Sequence, residues 1–407
     1  MPTAVLPRSC DTAGLTEALA SAEALAGDWA GLVIQVPPGA FVDVGAMAFL
    51  CAWAAGMGQR GHRIHLRGDE ATRHYLARMD LHEHVGLDYH PGQRRTEAGR
   101  FLPLKQIDSD QDVFDTVNAI CDLVLHQFDD ASAFIPAMEW AVNEIVDNIV
   151  IHSETPVPGA VCAQYFPRKH RLDIGICDLG RGIKASLGTT RELWSHGHAV
   201  TTALQRGVTR DKAIGQGNGM AGALDIAREN GGRFHVWTGD VVYRLEGGRE
   251  RGFVKIPELP GTGVLLSLDT RKPVDLSQTW IADEDHWSFI NAEAGRIENA
   301  GGMDVAGACI HTGSRPPATR LRRKLTAVLP EMDEPLVLDF SGVKSASSSF
   351  LDELLGRLAD ELGRDVFERQ VHVVGMTGTL RNMANVVISQ RLDGLPVELD
   401  PEEDSES

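Results

Sequence analysis

The chain reads as an α/β protein, with an α+β block in the middle, and three observations predict this. First, residues 1–95 alternate strand and helix: GLVIQV (31–36) and RIHLRG (63–68) carry short apolar runs, while AMAFLCAWAAGMG (46–58) and EATRHYLARMD (70–80) carry helical ones. Second, residues 287–398 repeat that order with LVLDF (336–340), SSSFLDELLGRLADEL (347–362), VHVVG (371–375) and GTLRNMANVVISQRL (378–392), which suggests a distant internal duplication. Third, residues 96–275 follow a different grammar of two helical runs, a hairpin, a glycine-opened helix and a final series of strands. At 407 residues the chain exceeds what one ordinary core supports.

Composition narrows the function classes. A hydrophobic share of 43% and a charged share of 24% are those of a globular protein, and a net charge of −18 argues against general nucleic-acid affinity. No run of eighteen apolar residues is present, so no membrane span is expected, and MPTAVLPRSCDT lacks the pattern of a signal peptide. The six cysteines (10, 51, 121, 162, 177, 309) form no C-x-x-C pair and sit in apolar runs, which points to buried thiols and a cytoplasmic setting.

In the middle block, residues 96–110 read as a polar linker. DVFDTVNAICDLVLHQF (112–128) then places Phe114, Val117, Cys121, Val124 and Phe128 on one helical face. Phe134, Met138, Val142, Ile145 and Ile149 do the same for the next helix, leaving Glu144 and Asn148 four apart on its less apolar side. GAVCAQYF (159–166) and RLDIGICD (171–178) are β-rich runs broken by Pro167–His170, the pattern of a hairpin. The second run delivers Asp178 into a turn with Gly180 and Gly182. A second glycine cluster, Gly215, Gly217 and Gly219, opens the helical pattern MAGALDIAREN. RFHVWTG, VVYRLEG, GFVKIP and GVLLSLD read as four strands separated by glycine turns, with Gly261-Thr262-Gly263 before the last.

Taken in order, E-x-x-x-N (Glu144, Asn148), D-x-G-x-G (Asp178, Gly180, Gly182), the box Gly215/Gly217/Gly219 and Thr262 resemble the GHKL, or Bergerat-type, ATP-binding domain of gyrases, heat-shock chaperones, histidine kinases and anti-sigma-factor serine kinases. His152 after Asn148 brings it nearest the anti-sigma kinases. The resemblance implies a central GHKL α/β sandwich over 96–275, with ATP and Mg²⁺ as cofactors. It implies Mg²⁺ held through Asn148, a catalytic base in Glu144, an adenine contact at Asp178, and nucleotide contacts at Gly180, Gly182, Gly215, Gly217, Gly219 and Thr262. The chemistry agrees with these types. Mg²⁺ keeps most of its waters and takes one or two protein oxygens, a carboxylate one turn away can orient a nucleophile, and glycine amides at a helix start favour anions. Lys184 to Ile214 would form the lid over the nucleotide, where Arg206, Arg210 and Lys212 offer positive charge to a γ-phosphate. His196 and His198 read as exposed lid residues, and His152 as a hydrogen-bonding support.

Both flanking blocks, 1–95 and 287–398, resemble STAS-like domains, the fold of anti-sigma-factor antagonists. Those proteins carry an acceptor serine at the start of the helix after the central strand. The N-terminal block has Phe41-Val42-Asp43-Val44-Gly45-Ala46 there and no serine, which implies a docking module. The C-terminal block has Ser347-Ser348-Ser349, with Ser349 on the acceptor position, although serine is also a favoured helix N-cap. The basic run Arg315, Arg320, Arg322, Arg323, Lys324 reads as solvated surface, and the acidic tail 399–407 as disordered. Together these resemblances imply a regulatory protein with a STAS- or sigma-factor-related protein partner, and they are compatible with a homodimer. Two classes of activity stay open: an Mg-ATP-dependent serine kinase or ATPase, and a non-catalytic nucleotide-gated binding switch.

Overall fold

The computed structural model describes residues 1–24, 31–87, 100–125, 135–188, 192–208, 219–272, 274, 302–309, 312, 315–329, 332, 334–343, 346, 348–376 and 378–392. Apart from Val274, residues 273–301 of the linker region lie outside these, as does the acidic tail. The chain forms two compact units, one built from Met1–Arg210 with Gly219–Thr279 and the other from the C-terminal stretch. Both are mixed α/β, as the alternation of runs predicts. Among the described residues no helix is long and apolar enough to cross a membrane, and all six cysteines are free and buried.

The first unit opens with β1 (Thr3–Val5), β2 (Ser9–Cys10), α1 (Thr12–Ala24), β3 (Gly31–Gln35), β4 (Phe41–Val42), α2 (Val44–Gln59), β5 (Arg63–Arg67), α3 (Glu70–Arg78) and β6 (Gly86–Leu87). β1, β3, β5 and β6 make a parallel sheet in that order. There follow β7 (Phe101–Ile107), α4 (Asp110–Leu125), α5 (Ile135–His152), β8 (Gly159–Phe166), β9 (Arg171–Asp178), α6 (Gly182–Leu187), α7 (His196–Ala203), α8 (Gly219–Asn230), β10 (Arg233–Glu246) and β11 (Arg249–Asp269). Their strands make a five-stranded antiparallel sheet in the order β10-β11-β9-β8-β7.

Two elements differ from the sequence expectations. The stretch read as a linker contributes β7, an edge strand whose register slips between Leu102 and Lys105 around Pro103. Proline has no N–H for a ladder and is tolerated at such an edge, so the strand carried the mark of a loop. The four short strands after α8 are two long ones. Gly239, with φ of +55°, forms a bulge between Thr238 and Val241 instead of a reversal.

The apolar run of α2 explains the layering. Every residue from Val44 to Ala54 is buried, and a helix that is apolar all round needs partners on more than one side. α2 has the parallel sheet against one flank and the five-stranded sheet against another, so one core joins Phe49, Leu50 and Trp53 to Cys162, Cys177, Trp237 and Leu265. The approach is close enough to require glycine. A Cβ on Gly175 of β9 would lie 2.2 Å from the Val44 carbonyl oxygen. The helix start that would carry an acceptor serine in an antagonist is therefore sealed inside. Asp43 caps α2 by accepting a hydrogen bond from Ala46 N at 2.8 Å, and the Cys162 thiol donates to Val44 O. Further polar ties are Tyr75 Oη to Gln164 Oε1 (2.8 Å) and Arg244 Nη2 to Asp11 Oδ2 (3.1 Å).

The second unit has β12 (Met303–Asp304), α9 (Val305–Ala308), α10 (Arg315–Val328), β13 (Leu336–Asp339), α11 (Ser348–Leu351, continuing through a π-helical turn Asp352–Gly356 into Arg357–Leu362), α12 (Arg364–Gln370), β14 (Val371–Val374) and α13 (Gly378–Leu392). Its sheet is parallel, in the order β12-β13-β14. Of the basic run on α10, Arg320, Arg323 and Lys324 are exposed as expected, but Arg315 and Arg322 depart from the solvated reading. Arg322 is buried and donates to Glu353 Oε1 at 2.9 Å, Arg315 reaches both Asp352 Oδ2 (3.1 Å) and Glu353 Oε2 (3.3 Å), and Arg391 of α13 grips Asp352 with two bonds of 2.8 Å. The π-helical turn places Asp352 and Glu353, both almost wholly buried, as the shared anchors of α10, α11 and α13.

Candidate functional site

Strand alternation decides which side of the five-stranded sheet carries the motif residues. On β9, residues 171, 173, 175 and 177 share the face that meets α2, and 172, 174, 176 and 178 share the other. Asp178 is thus on the face away from the N-terminal elements. α5 lies on that same face. Gly159, one residue beyond the Ala160–Cys177 pair, could not carry a Cβ without coming within 2.6 Å of Ile149 Cγ2.

On α5, Met138, Val142, Ile145 and Ile149 are buried as the periodicity predicts, and Glu144 and Asn148 are half-buried on one side. That side meets the start of α8. A Cβ on Gly219 would lie 2.7 Å from Glu144 Oε2 and 3.2 Å from Glu144 Cβ, so the helix start and the Glu144 side chain are in direct contact and a larger residue there would displace the carboxylate. The E-x-x-x-N pair and the last residue of the second glycine box are therefore neighbours in space although 75 positions separate Glu144 from Gly219 in the chain. Gly215, Gly217, Arg210 and Lys212 lie outside the described residues.

The Asp178 end is built from two tight turns. Asp178 Oδ1 accepts from Gly180 N at 2.7 Å, and Arg181 N donates to Ser153 O at 2.8 Å, which pins the turn to the end of α5 beyond His152. A Cβ on Gly180 would lie 2.0 Å from that same Ser153 oxygen. Across the sheet, Thr262 pairs in register with Asp178, and Gly261, at φ of +77°, packs directly on the Asp178 carbonyl. Burial pushes the Asp178 carboxyl up to about 6, with the backbone hydrogen bonds from Gly180 and Thr262 pulling the other way. A buried carboxylate that the fold holds at its own expense is the kind of group found at binding sites.

Part of the stretch read as a lid is helical. α7 starts at Ser195, whose hydroxyl accepts from His198 N. His196 and His198 are half-buried instead of exposed, and the Trp194 ring stacks on His198. Arg206 reaches Asp225 of α8 at 2.7 Å, so this lid cation is engaged by a carboxylate. Among the described residues, Asp80, His82 and Glu83 place ligand atoms within 4.8 Å of one another, but around the short helical turn Leu81–Glu83, outside all the motifs.

Two groups were not singled out from the sequence: the Ser153 carbonyl, which no side-chain pattern can reveal, and Thr238, whose hydroxyl is buried between the two turns. The T-G step at 238–239 inside an apolar run was the available signal for the latter. Of the acceptor candidates, Ser348 and Ser349 open α11, while Ser347 and the side chains of Ser348 and Ser349 lie outside what is described.

No curated protein matches the chain at a significant level. Residues 318–380, which run from α10 to the start of α13, match the family described as a STAS-like domain of unknown function (DUF4325), so the C-terminal unit carries a STAS-like domain.

Proposed function

We propose that the first unit binds Mg-ATP on the α5 face of its five-stranded sheet and that nucleotide state or phosphoryl transfer regulates a protein partner. The observation that carries this reading is convergence. Glu144 and Asn148 on α5, Gly219 at the start of α8, and Asp178 with Thr262 on adjacent strands all belong to one side of one sheet. The donor set fits the group. Asn148 offers a carbonyl oxygen of the type Mg²⁺ takes from protein, the start of α8 offers amides to phosphate, and buried Asp178 offers an acceptor for an adenine amino group. Bound Mg²⁺ would supply charge neutralisation between phosphates. Glu144, held one turn from Asn148, would orient or deprotonate the attacking hydroxyl or water. Asp178 and Thr262 would fix the base, and the lid from Lys184 would exclude water.

A C-terminal STAS-like domain in the same chain favours a partner of STAS type, and a serine kinase acting on such a serine, with Ser349 as one acceptor, is part of this reading. The alternative is a nucleotide-gated switch in which turnover is incidental. Incubation with γ-labelled ATP separates them. Label on the protein that is lost in Ser349→Ala supports the kinase with that acceptor, and free phosphate supports the ATPase. Nucleotide bound without either favours the switch, and no bound nucleotide refutes the proposal.

A further inference from the structure

Three residues line up side by side across the three strands that end at the site. Thr238 of β10 pairs with Thr262 of β11, and Thr262 pairs with Asp178 of β9. Cross-strand partners share a face, so Thr238 stands on the same side of the sheet as Asp178. Its side chain is almost fully buried. The hydroxyl donates to Gly261 O at 2.9 Å and accepts from Ile183 N at 3.3 Å, which uses its single proton and one lone pair. Those two partners belong to different loops. Gly261 is in the turn that presents Thr262, and Ile183 is in the first turn of α6, directly after the Asp178–Gly182 turn and at the root of the lid. Gly182 sits against the same hydroxyl, since a Cβ there would lie 2.9 Å from Thr238 Oγ1.

Gly182 and Gly261 both have positive φ, +72° and +77°, and Gly261 falls outside the registers that pair β11 with β10 and with β9. One buried hydroxyl therefore ties the Asp178 turn, the Thr262 turn and the start of α6 into a single rigid knot. We propose that Thr238 is a positioning residue of the nucleotide site, holding Asp178 and Thr262 in binding register from behind while itself touching no phosphate. This inference rests on the nucleotide reading above and deepens it.

The hydroxyl is isolated by two pairs of variants. Thr238→Val keeps the shape and removes the hydroxyl, and Thr238→Ser keeps the hydroxyl and removes the methyl. Thr238→Ala, compared with Thr238→Ser, reads the hydroxyl again should the valine protein be too unstable to titrate. Calorimetric titration of the full chain with Mg-ATP and with Mg-ADP is expected to give wild type and Thr238→Ser the same affinity within about threefold. Thr238→Val and Thr238→Ala are expected to bind about tenfold or more weakly, as for loss of a buried hydroxyl that satisfies two backbone groups. ATP and ADP should weaken by the same factor, because the knot lies on the Asp178 side and not at the γ-phosphate. A general loss of stability would lower the melting temperature without giving this serine rescue at temperatures where every variant is folded. Tight binding by Thr238→Val, or by Thr238→Ala where valine does not fold, overturns the proposal. A wild-type chain that binds neither nucleotide overturns the nucleotide reading itself, whatever the variants do.

Discussion

Glu144→Ala is expected to bind Mg-ATP within about threefold of wild type and to turn it over about 10²–10⁴ times more slowly, the usual cost of removing a positioned base. Glu144 is half-buried on α5, and its carboxylate packs against the glycine that starts α8, whose amides are the ones proposed to meet phosphate. Binding should therefore survive its loss. Asn148→Ala is the contrast, because removal of the Mg²⁺ oxygen should abolish the metal dependence of binding as well as turnover. Titration calorimetry with and without Mg²⁺, combined with phosphate release, reads both quantities. Equal turnover in wild type and Glu144→Ala would mean that this carboxylate is not the base.

Asp352→Ala is expected to destabilise the C-terminal unit by about 3–5 kcal/mol, the range for breaking a buried ion pair by removing one partner. Asp352 is 1% exposed and receives two hydrogen bonds of 2.8 Å from Arg391 and a contact of 3.1 Å from Arg315. Without it, the largely buried Arg391 guanidinium loses its bidentate partner, Arg315 keeps only Glu353, and α13 loses its polar anchor on α11. Denaturant unfolding of the full chain, followed by far-UV circular dichroism, should show one transition moving to a lower midpoint. A change below about 1 kcal/mol would show that the network is solvated and contributes as little as a surface pair.

That network illustrates where sequence reasoning stopped. Helix α10 was legible as a helix and its arginines as a basic run, but two acidic residues 31–38 positions away draw Arg315 and Arg322 inward. Adjacent Asp352 and Glu353 inside an apolar pattern were the only warning, and it takes the π-helical turn to direct both inward. The motif residues were legible for the opposite reason. Glu144 and Asn148 share a face by helical spacing, and Asp178 ends a β-rich run before a glycine turn, so the positions of these residues on their elements needed no tertiary knowledge, whereas the room that Gly180 and Gly219 give is made by Ser153 and Glu144 from elsewhere in the chain. β7 was hidden by Pro103, which marks loops more often than edge strands. The docking of α2 on the five-stranded sheet was hidden because it depends on a surface made by β8, β9 and β11 together. Two traces of it were nevertheless present: a helix apolar on every side, and Gly175 in the middle of a strand.

The claim that the α5 face of this sheet is an adenine-nucleotide site rests most heavily on Asp178, and Asp178→Asn tests it directly. The carboxyl is raised to about 6 in the fold, mainly by burial. A group raised in this way favours folding while protonated and loses that contribution as pH rises through 4 to 6. At neutral pH the ionised form therefore costs stability, by up to about 3 kcal/mol for a shift of about two units. Asparagine keeps an acceptor for Gly180 N and carries no charge, so Asp178→Asn should melt no lower than wild type at pH 7.5. Its ATP affinity should nonetheless fall by about 1.5–3 kcal/mol, roughly 10–150-fold, through loss of a charge-assisted hydrogen bond to the base. Calorimetric titration of both proteins with Mg-ATP is the decisive measurement. Tight binding by wild type and this loss in an equally stable Asp178→Asn is the predicted result, and equal ATP affinity in the two proteins would contradict the account.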